Sequence, residues 1–161
     1  MALFKWIIIG RYRPSNKPLW SGFVWRSELV TGLYENFGVL FFVNVLTGTP
    51  FIKFPLWLLG CKIGKRCCIY TTQITEFDLV KVGDYSSLND NCTIQTHLFE
   101  DRVMKMSYVD IGKECSVGGM SVVLYDSKME DGSKLDNLSV LMKGETLAAG
   151  TTFMGAPANP V

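Results

Sequence analysis

His97 is the only histidine in this 161-residue chain, and it opens the segment HLFEDRVMKMS of residues 97–107. A neutral imidazole is the side chain best suited to take a proton from an amine or hydroxyl near pH 7. A nucleophile activated in this way can attack a thioester. Glu100 and Asp101 follow closely enough for either to orient the ring. The five cysteines (Cys61, Cys67, Cys68, Cys92 and Cys115) form no CxxC pair, and His97 stands at no metal-ligand spacing from any of them, so no metal site is expected. Their odd number, with no secretory h-region at the start of the chain, points to a reducing, cytoplasmic setting.

The elements that must position His97 are set by a repeat. From Ile111 every sixth residue is large and apolar: Ile111, Val117, Val123, Met129, Leu135, Leu141, Leu147 and Phe153. Eight such hits in a chain that is 48% apolar arise by chance with a probability of about 0.003. Four residues after each of the first five stands a small residue: Cys115, Ser121, Ser127, Ser133 and Ser139. The same phase appears earlier in Ile63/Cys67, Val82/Ser86 and Leu88/Cys92. Period six is neither a helical nor a simple strand pattern. It fits short flat strands that turn a corner every six residues, three to a triangular coil of about 18 residues, with the aliphatic row stacked inside. Gly, Asn and Asp are expected at the turns. The predicted fold is an all-β left-handed parallel β-helix of about five coils over residues 61–161, behind an α-helical N-terminal segment. The count slips twice, by one residue around Gln73–Leu79 and by the segment 97–107, which reads as an extruded loop of the kind that carries binding chemistry.

The net charge of +1 hides a division: residues 1–66 hold nine Lys/Arg and two Asp/Glu, whereas residues 67–161 hold seven and thirteen. All four Trp and 13 of the 20 aromatic residues precede residue 60. Residues 1–60 therefore form a basic, aromatic, mainly helical arm or cap. Within it, 20–46 carry a helical apolar pattern, Ile52–Leu59 a short apolar helix, and 4–18 an irregular stretch. No uninterrupted apolar run reaches the ~18–20 residues of a bilayer span. The arm suits either capping of the coil end or attachment to an anionic membrane surface. Basic residues neither repeat on the coils nor cluster densely, so no nucleic-acid partner is expected.

The segment Ile94–Ala158 resembles the hexapeptide-repeat acyltransferases, particularly the maltose and galactoside acetyltransferase branch, in IQTH at 94–97, IGKECSVGGMSVVL at 111–124 and SVLMKGETLAAGTTFMGAPA at 139–158. A closer resemblance covers nearly the whole chain. RYRP at 11–14, LWSGFVWRSELVTGLYEN at 19–36, TEFDLVKVGD at 75–84 and LNDNCTIQTHLFEDRVMKMS at 88–107 look like the terminal hexapeptide-repeat domain of non-ribosomal peptide synthetase-like proteins of the poly-lysine synthetase type.

These resemblances imply a homotrimer, or a pseudo-trimer with sister domains, with active sites between neighbouring prisms. They imply an acyl or aminoacyl thioester donor, on coenzyme A or on a carrier protein's phosphopantetheine, and no permanently bound cofactor. They cast His97 as general base; Asn89, Asn91 and Glu100 on the acceptor side; and Gly119, Ser139, Lys143 and Pro157 along the donor. A backbone N–H near Gly118–Gly119 would serve as oxyanion donor. The sequence departs from the first family at Leu98, where proline usually follows the histidine, and at Glu145, which displaces the acid after the motif's lysine. Two non-catalytic readings stand beside the enzyme: a trimerisation scaffold and a carrier-docking module of a membrane-associated synthetase.

Overall fold

A computed structural model describes residues 2–161. From Lys62 onward the chain visits three parallel sheets in rotation. The first sheet takes Lys62–Ile63, Val80–Val82, Val109–Ile111, Ser127–Met129 and Thr146–Leu147 in that spatial order. The second takes Cys68–Ile69, Ser87–Leu88, Ser116–Val117, Lys134–Leu135 and Thr152–Met154, and Asn159–Pro160 closes it as an antiparallel edge. The third takes Thr93–Gln95, Val122–Leu124 and Val140–Leu141, extended by a bridge from Ile74 to Ile94.

The sixfold row sets the register. Val82 pairs with Ile111, Ile111 with Met129 and Met129 with Leu147; Leu88, Val117 and Leu135 align likewise on the second sheet. Val117, Val123, Leu141 and Leu147 are fully buried, as are the corner residues Ser121, Ser133 and Ser139. Each coil buries its aliphatic residues against equivalents one strand spacing away, about 4.8 Å, so one continuous interior holds the stack together.

The corners at positive φ include the expected types, Asn91, Asp126, Gly132, Gly144 and Gly150, and also Arg66, Tyr85, Glu114, Met120 and Leu138. Other glycines have a second task. A Cβ on Gly83 would lie 2.4 Å from the Gly112 carbonyl oxygen, and one on Gly118 would lie 2.4 Å from the Asn137 nitrogen. These glycines admit the next coil's backbone rather than supplying the turn.

Residues 97–107 form an ordered hairpin, not a free loop. His97–Glu100 pairs antiparallel with Val103–Met106. Asp101 and Arg102, both at positive φ, make the two-residue turn that suits a right-handed strand twist. The arm supplies a third strand, Ser15–Pro18, paired with Val103–Met106, so the stretch read as irregular contains this strand and the helix Ala2–Ile8. A second core of Tyr12, Val24, Leu79, Met104 and Met106 binds arm, hairpin and stack.

Ser21 caps the next helix, its hydroxyl accepting from the Val24 N–H, as N-cap serines do. Gly22–Leu33 continues through π-type turns over Tyr34–Val43 into Asn44–Leu46. The result is one helix of 25 residues, long and apolar enough by length and composition to cross a membrane. This helix falls within residues 20–46, the stretch whose apolar pattern reads as helical. Val24, Ser27, Val30, Tyr34, Gly38 and Val43 are buried. Leu40, Phe41, Phe42 and Val45 are exposed, as are Phe51, Phe54 and Trp57 on the segment that follows.

Candidate active site

His97 is the first residue of the hairpin and is 8% exposed. Its Nδ1 lies 2.7 Å from Oε2 of Glu76. A carboxylate only accepts, so Nδ1 carries the proton and Nε2 keeps the lone pair. The Thr96 hydroxyl donates to the same oxygen at 2.6 Å. Glu76 is itself buried at a left-handed backbone position (φ 37°), and its Oε1 has no hydrogen-bond partner. Burial acts to lower the basicity of His97. The hydrogen bond to Glu76, with the charges of Glu76 and Glu28, overcomes that effect and raises the imidazole pKa above its ordinary value.

Nε2 has no protein partner, and the ring opens on a groove of about 560 Å³ between the third sheet and the long helix. Thr93, Gln95 and His97 line one wall and alternate along the chain, as side chains on one strand face must. Glu28, Thr31 and Glu35 line the other. The Phe99 ring stands edge-on to the imidazole, with centroids 5.2 Å apart. The site thus offers a proton acceptor with fixed tautomer and orientation, facing a cleft with room for a small substrate.

Glu76 replaces Glu100 and Asp101 as the residue that orients the ring. It precedes His97 by 21 positions, inside the interval where the repeat slips by one residue, and that slip is the sequence signal pointing to it. Glu100 instead accepts from Lys105 at 3.1 Å and from Lys143. Its hydrogen bonds to Lys143 and Lys105 lower its pKa, and the bond to Glu100 raises that of Lys143. The structure therefore joins a residue expected on the acceptor side to one expected along the donor.

The other expected residues lie apart from His97 within one chain. Asn89 donates to Ser116 Oγ at 3.5 Å, and Asn91 to Asp90 at 3.1 Å. Ser139 is fully buried at its corner, donating to the Asn137 carbonyl and accepting from the Gly155 N–H; its side chain cannot touch a donor. Pro157 is exposed in the C-terminal tail. The Gly118 and Gly119 N–H groups, expected as oxyanion donors, are both occupied, by the Leu135 carbonyl and by Asn137 Oδ1.

The rotating sheets and the sixfold core make up a fold that solved hexapeptide-repeat acetyltransferases also have. The chain shares its fold with a maltose O-acetyltransferase from Clostridium difficile 630, at TM-score 0.67 and 14% identity over 98% of this chain and 95% of that one. It shares it too with a hexapeptide-repeat acetyltransferase of Vibrio cholerae O1 biovar eltor complexed with acetyl coenzyme A, at TM-score 0.53 and 14% identity over 84% and 88% of the two chains. In sequence it is homologous to Delta-poly-L-ornithine synthetase of Acinetobacter baumannii, 44% identical over 160 residues. That match takes in 99% of this chain but 12% of the synthetase, so the chain corresponds to about one-eighth of that relative. No family model matches the chain.

Proposed function

We propose that the chain is an acyltransferase domain that forms an amide, or an ester, from an acyl or aminoacyl thioester, with His97 as general base. The observation that carries this reading is the buried Glu76–His97 pair with Nε2 free toward the groove. Glu76 holds the ring and offsets the imidazolium charge as the nucleophile loses its proton. General-base catalysis of this kind contributes about 10²–10⁴-fold, and alignment of both reactants in one groove adds to it. The thioester belongs to coenzyme A or to the phosphopantetheine of a carrier protein; the acetyl coenzyme A complex of the Vibrio neighbour supports the first.

In this reading the coil winds left-handed, and three copies or sister domains pack side by side. Asn89, Asn91, Gly119 and Pro157 then face a neighbouring prism, where they complete the acceptor and donor sites that one chain leaves open. The basic, Trp-rich arm with its exposed Phe41, Phe42, Phe54 and Trp57 supports a position at the cytoplasmic face of a membrane. That same apolar surface favours a second reading, an assembly module without turnover.

The deciding experiment measures amide formation from acetyl coenzyme A and from aminoacyl thioesters, with wild type and His97→Ala. A fall of about 10²-fold or more in rate, with the far-UV spectrum unchanged, is expected. Equal rates in the two proteins would remove His97 from the chemistry. Absence of turnover with retained thioester or carrier binding would leave the assembly or docking module.

A further inference from the structure

The segment RYRP at 11–14 lies between two contacts. On one side the Tyr12 N–H donates to Oδ2 of Asp78 at 3.0 Å. On the other, Ser15 pairs with Met106, which pairs in turn with His97 across the hairpin. Asp78 follows Glu76 by two residues, inside the tight helical turn Phe77–Leu79. One short stretch of the arm therefore touches the elements that carry both members of the Glu76–His97 pair.

Asp78 is anchored more firmly than a surface carboxylate. Its Oδ2 also accepts from Lys5 Nζ at 2.5 Å, and the Asp78 and Lys5 side chains are 5% and 0% exposed. The Lys5 ammonium lies 3.6 Å from the centroid of the Trp6 ring. Gly60, at φ 116°, leaves the space that Asp78 fills: a Cβ there would stand 2.4 Å from Oδ1. Desolvation offsets much of the attraction in such a buried pair, so its effect is sought in geometry. Glu76 holds a left-handed backbone position, φ 37° and ψ 63°, which a residue other than glycine keeps only where its surroundings over-determine it. Phe77, next in the chain, packs edge-on to Tyr34 with centroids 4.8 Å apart. The Leu79 N–H donates to the Glu76 carbonyl at 2.8 Å. Asp78 adds the tie to the arm.

We propose that Lys5 and Asp78 are positioning residues for His97: with the Tyr12 N–H they hold the Glu76 turn where its carboxylate meets the imidazole. The effect on rate rests on the reading of His97 as the acyl-transfer base. Neither residue lines the His97 groove, so both act through Glu76 and not on the substrate. Without the tie the Glu76 turn relaxes, its hydrogen bond to Nδ1 lengthens, and the ring becomes less basic and free to rotate.

His97 is the only histidine, so its ring protons can be followed through a pH titration by NMR without ambiguity. Glu76 and Glu28 are the charged groups that raise its basicity. Lys5→Met/Asp78→Asn removes one charge of each sign, which keeps the net charge and makes the direct field effect on the ring small. Its titration midpoint should fall from the raised wild-type value toward about 6.5. The kcat for acylation of an amine by an N-acetylcysteamine thioester should fall by up to about 10²-fold, with KM little changed. Gly60→Ala keeps both charges and pushes the same carboxylate aside. It should shift the midpoint in the same direction, and it decides the matter if the double variant does not fold. Leu147→Ala, at a fully buried site in the last coil, lowers stability far from the arm and should leave the midpoint in place. An unmoved midpoint in the folded arm variants, or an equal shift in Leu147→Ala, would overturn the proposal. A shifted midpoint without acylation by any of the proteins would keep the positioning role and discard His97 as the acyl-transfer base.

Discussion

The chain turns the corner from the third sheet to the first four times, and the first two turns differ from the last two. In the later coils the corner is tight: Tyr125-Asp126 in one, Met142 to Glu145 in the other, with Asp126 and Gly144 at positive φ. Those corners stack on one another, the Gly144 N–H donating to the Asp126 carbonyl. In the first coil Glu76 holds the left-handed position, and in the second the hairpin 97–107 grows out of the corner. The same backbone role therefore falls to a solvated carboxylate in one coil and a buried one in another. What separates Asp126 from Glu76 is cover. The hairpin and arm fold over Glu76, and the imidazole they bring becomes its partner. A regular coil provides rigidity, and a broken corner holds the Glu76–His97 pair.

The broadest way to break this contrast is to delete residues 97–107. Those 11 residues are the excess over the six-residue spacing between Ile94 and Ile111, so removal restores the repeat. The variant should keep the β-sheet circular dichroism of the stack. It should lose acyl transfer, and it should melt lower, because Met104 and Met106 leave the second core and Ser15–Pro18 loses its neighbour. Loss of the sheet signal itself would mean that the hairpin holds the stack together.

On the regular side, Leu141→Ala empties a fully buried site in the stacked row and should cost about 2–5 kcal/mol in chemical denaturation. A change below about 1 kcal/mol would mean that the interior is loosely packed.

Glu76→Gln probes the broken corner without emptying it. The folded pKa of His97 is raised. Stability from its protonated pair with Glu76 is thus fully present below the unfolded value of about 6.5, and is lost as pH rises through the folded value. Thermal melts should show wild type gaining on the variant as pH falls toward 6.5. Since the base must be neutral, the acid limb of the rate profile should lie above about 6.5 in wild type and move to lower pH in Glu76→Gln. A limb that does not move would dismiss Glu76 as the positioning group. Smallest of all should be the effect of Lys143→Ala, which removes a solvent-screened pair with Glu100. A slight fall in melting temperature, absent in high salt, is expected.

The two regions also differ in how plainly the sequence displays them. The stack is legible because each coil places an aliphatic side chain in the same confined interior, so the constraint repeats at a strict interval from Ile111 to Phe153. The hairpin is half legible. Met104 and Met106 alternate with Lys105, but the strand Ser15–Pro18 has no apolar alternation of its own and exists through pairing with a segment almost ninety residues away. Glu76 was hidden for the same reason. Its role depends on a contact between two corners of adjacent coils, which proximity to His97 along the chain does not reveal. Ser139, in a motif segment expected to run along the donor, is a corner side chain sealed by the Gly155 N–H.

The strand Asn159–Pro160 runs back along Thr152–Met154 and ends the second sheet. A stack of parallel rungs is a template, and its bare last rung invites the next molecule to add on, rung after rung, into a fibre. On the second sheet the final backbone groups are taken by a reversed strand whose Pro160 has no N–H to offer, and helices precede the first rung. Units finished in this way can be strung along one polypeptide, or crowded at high local concentration, without fusing end to end.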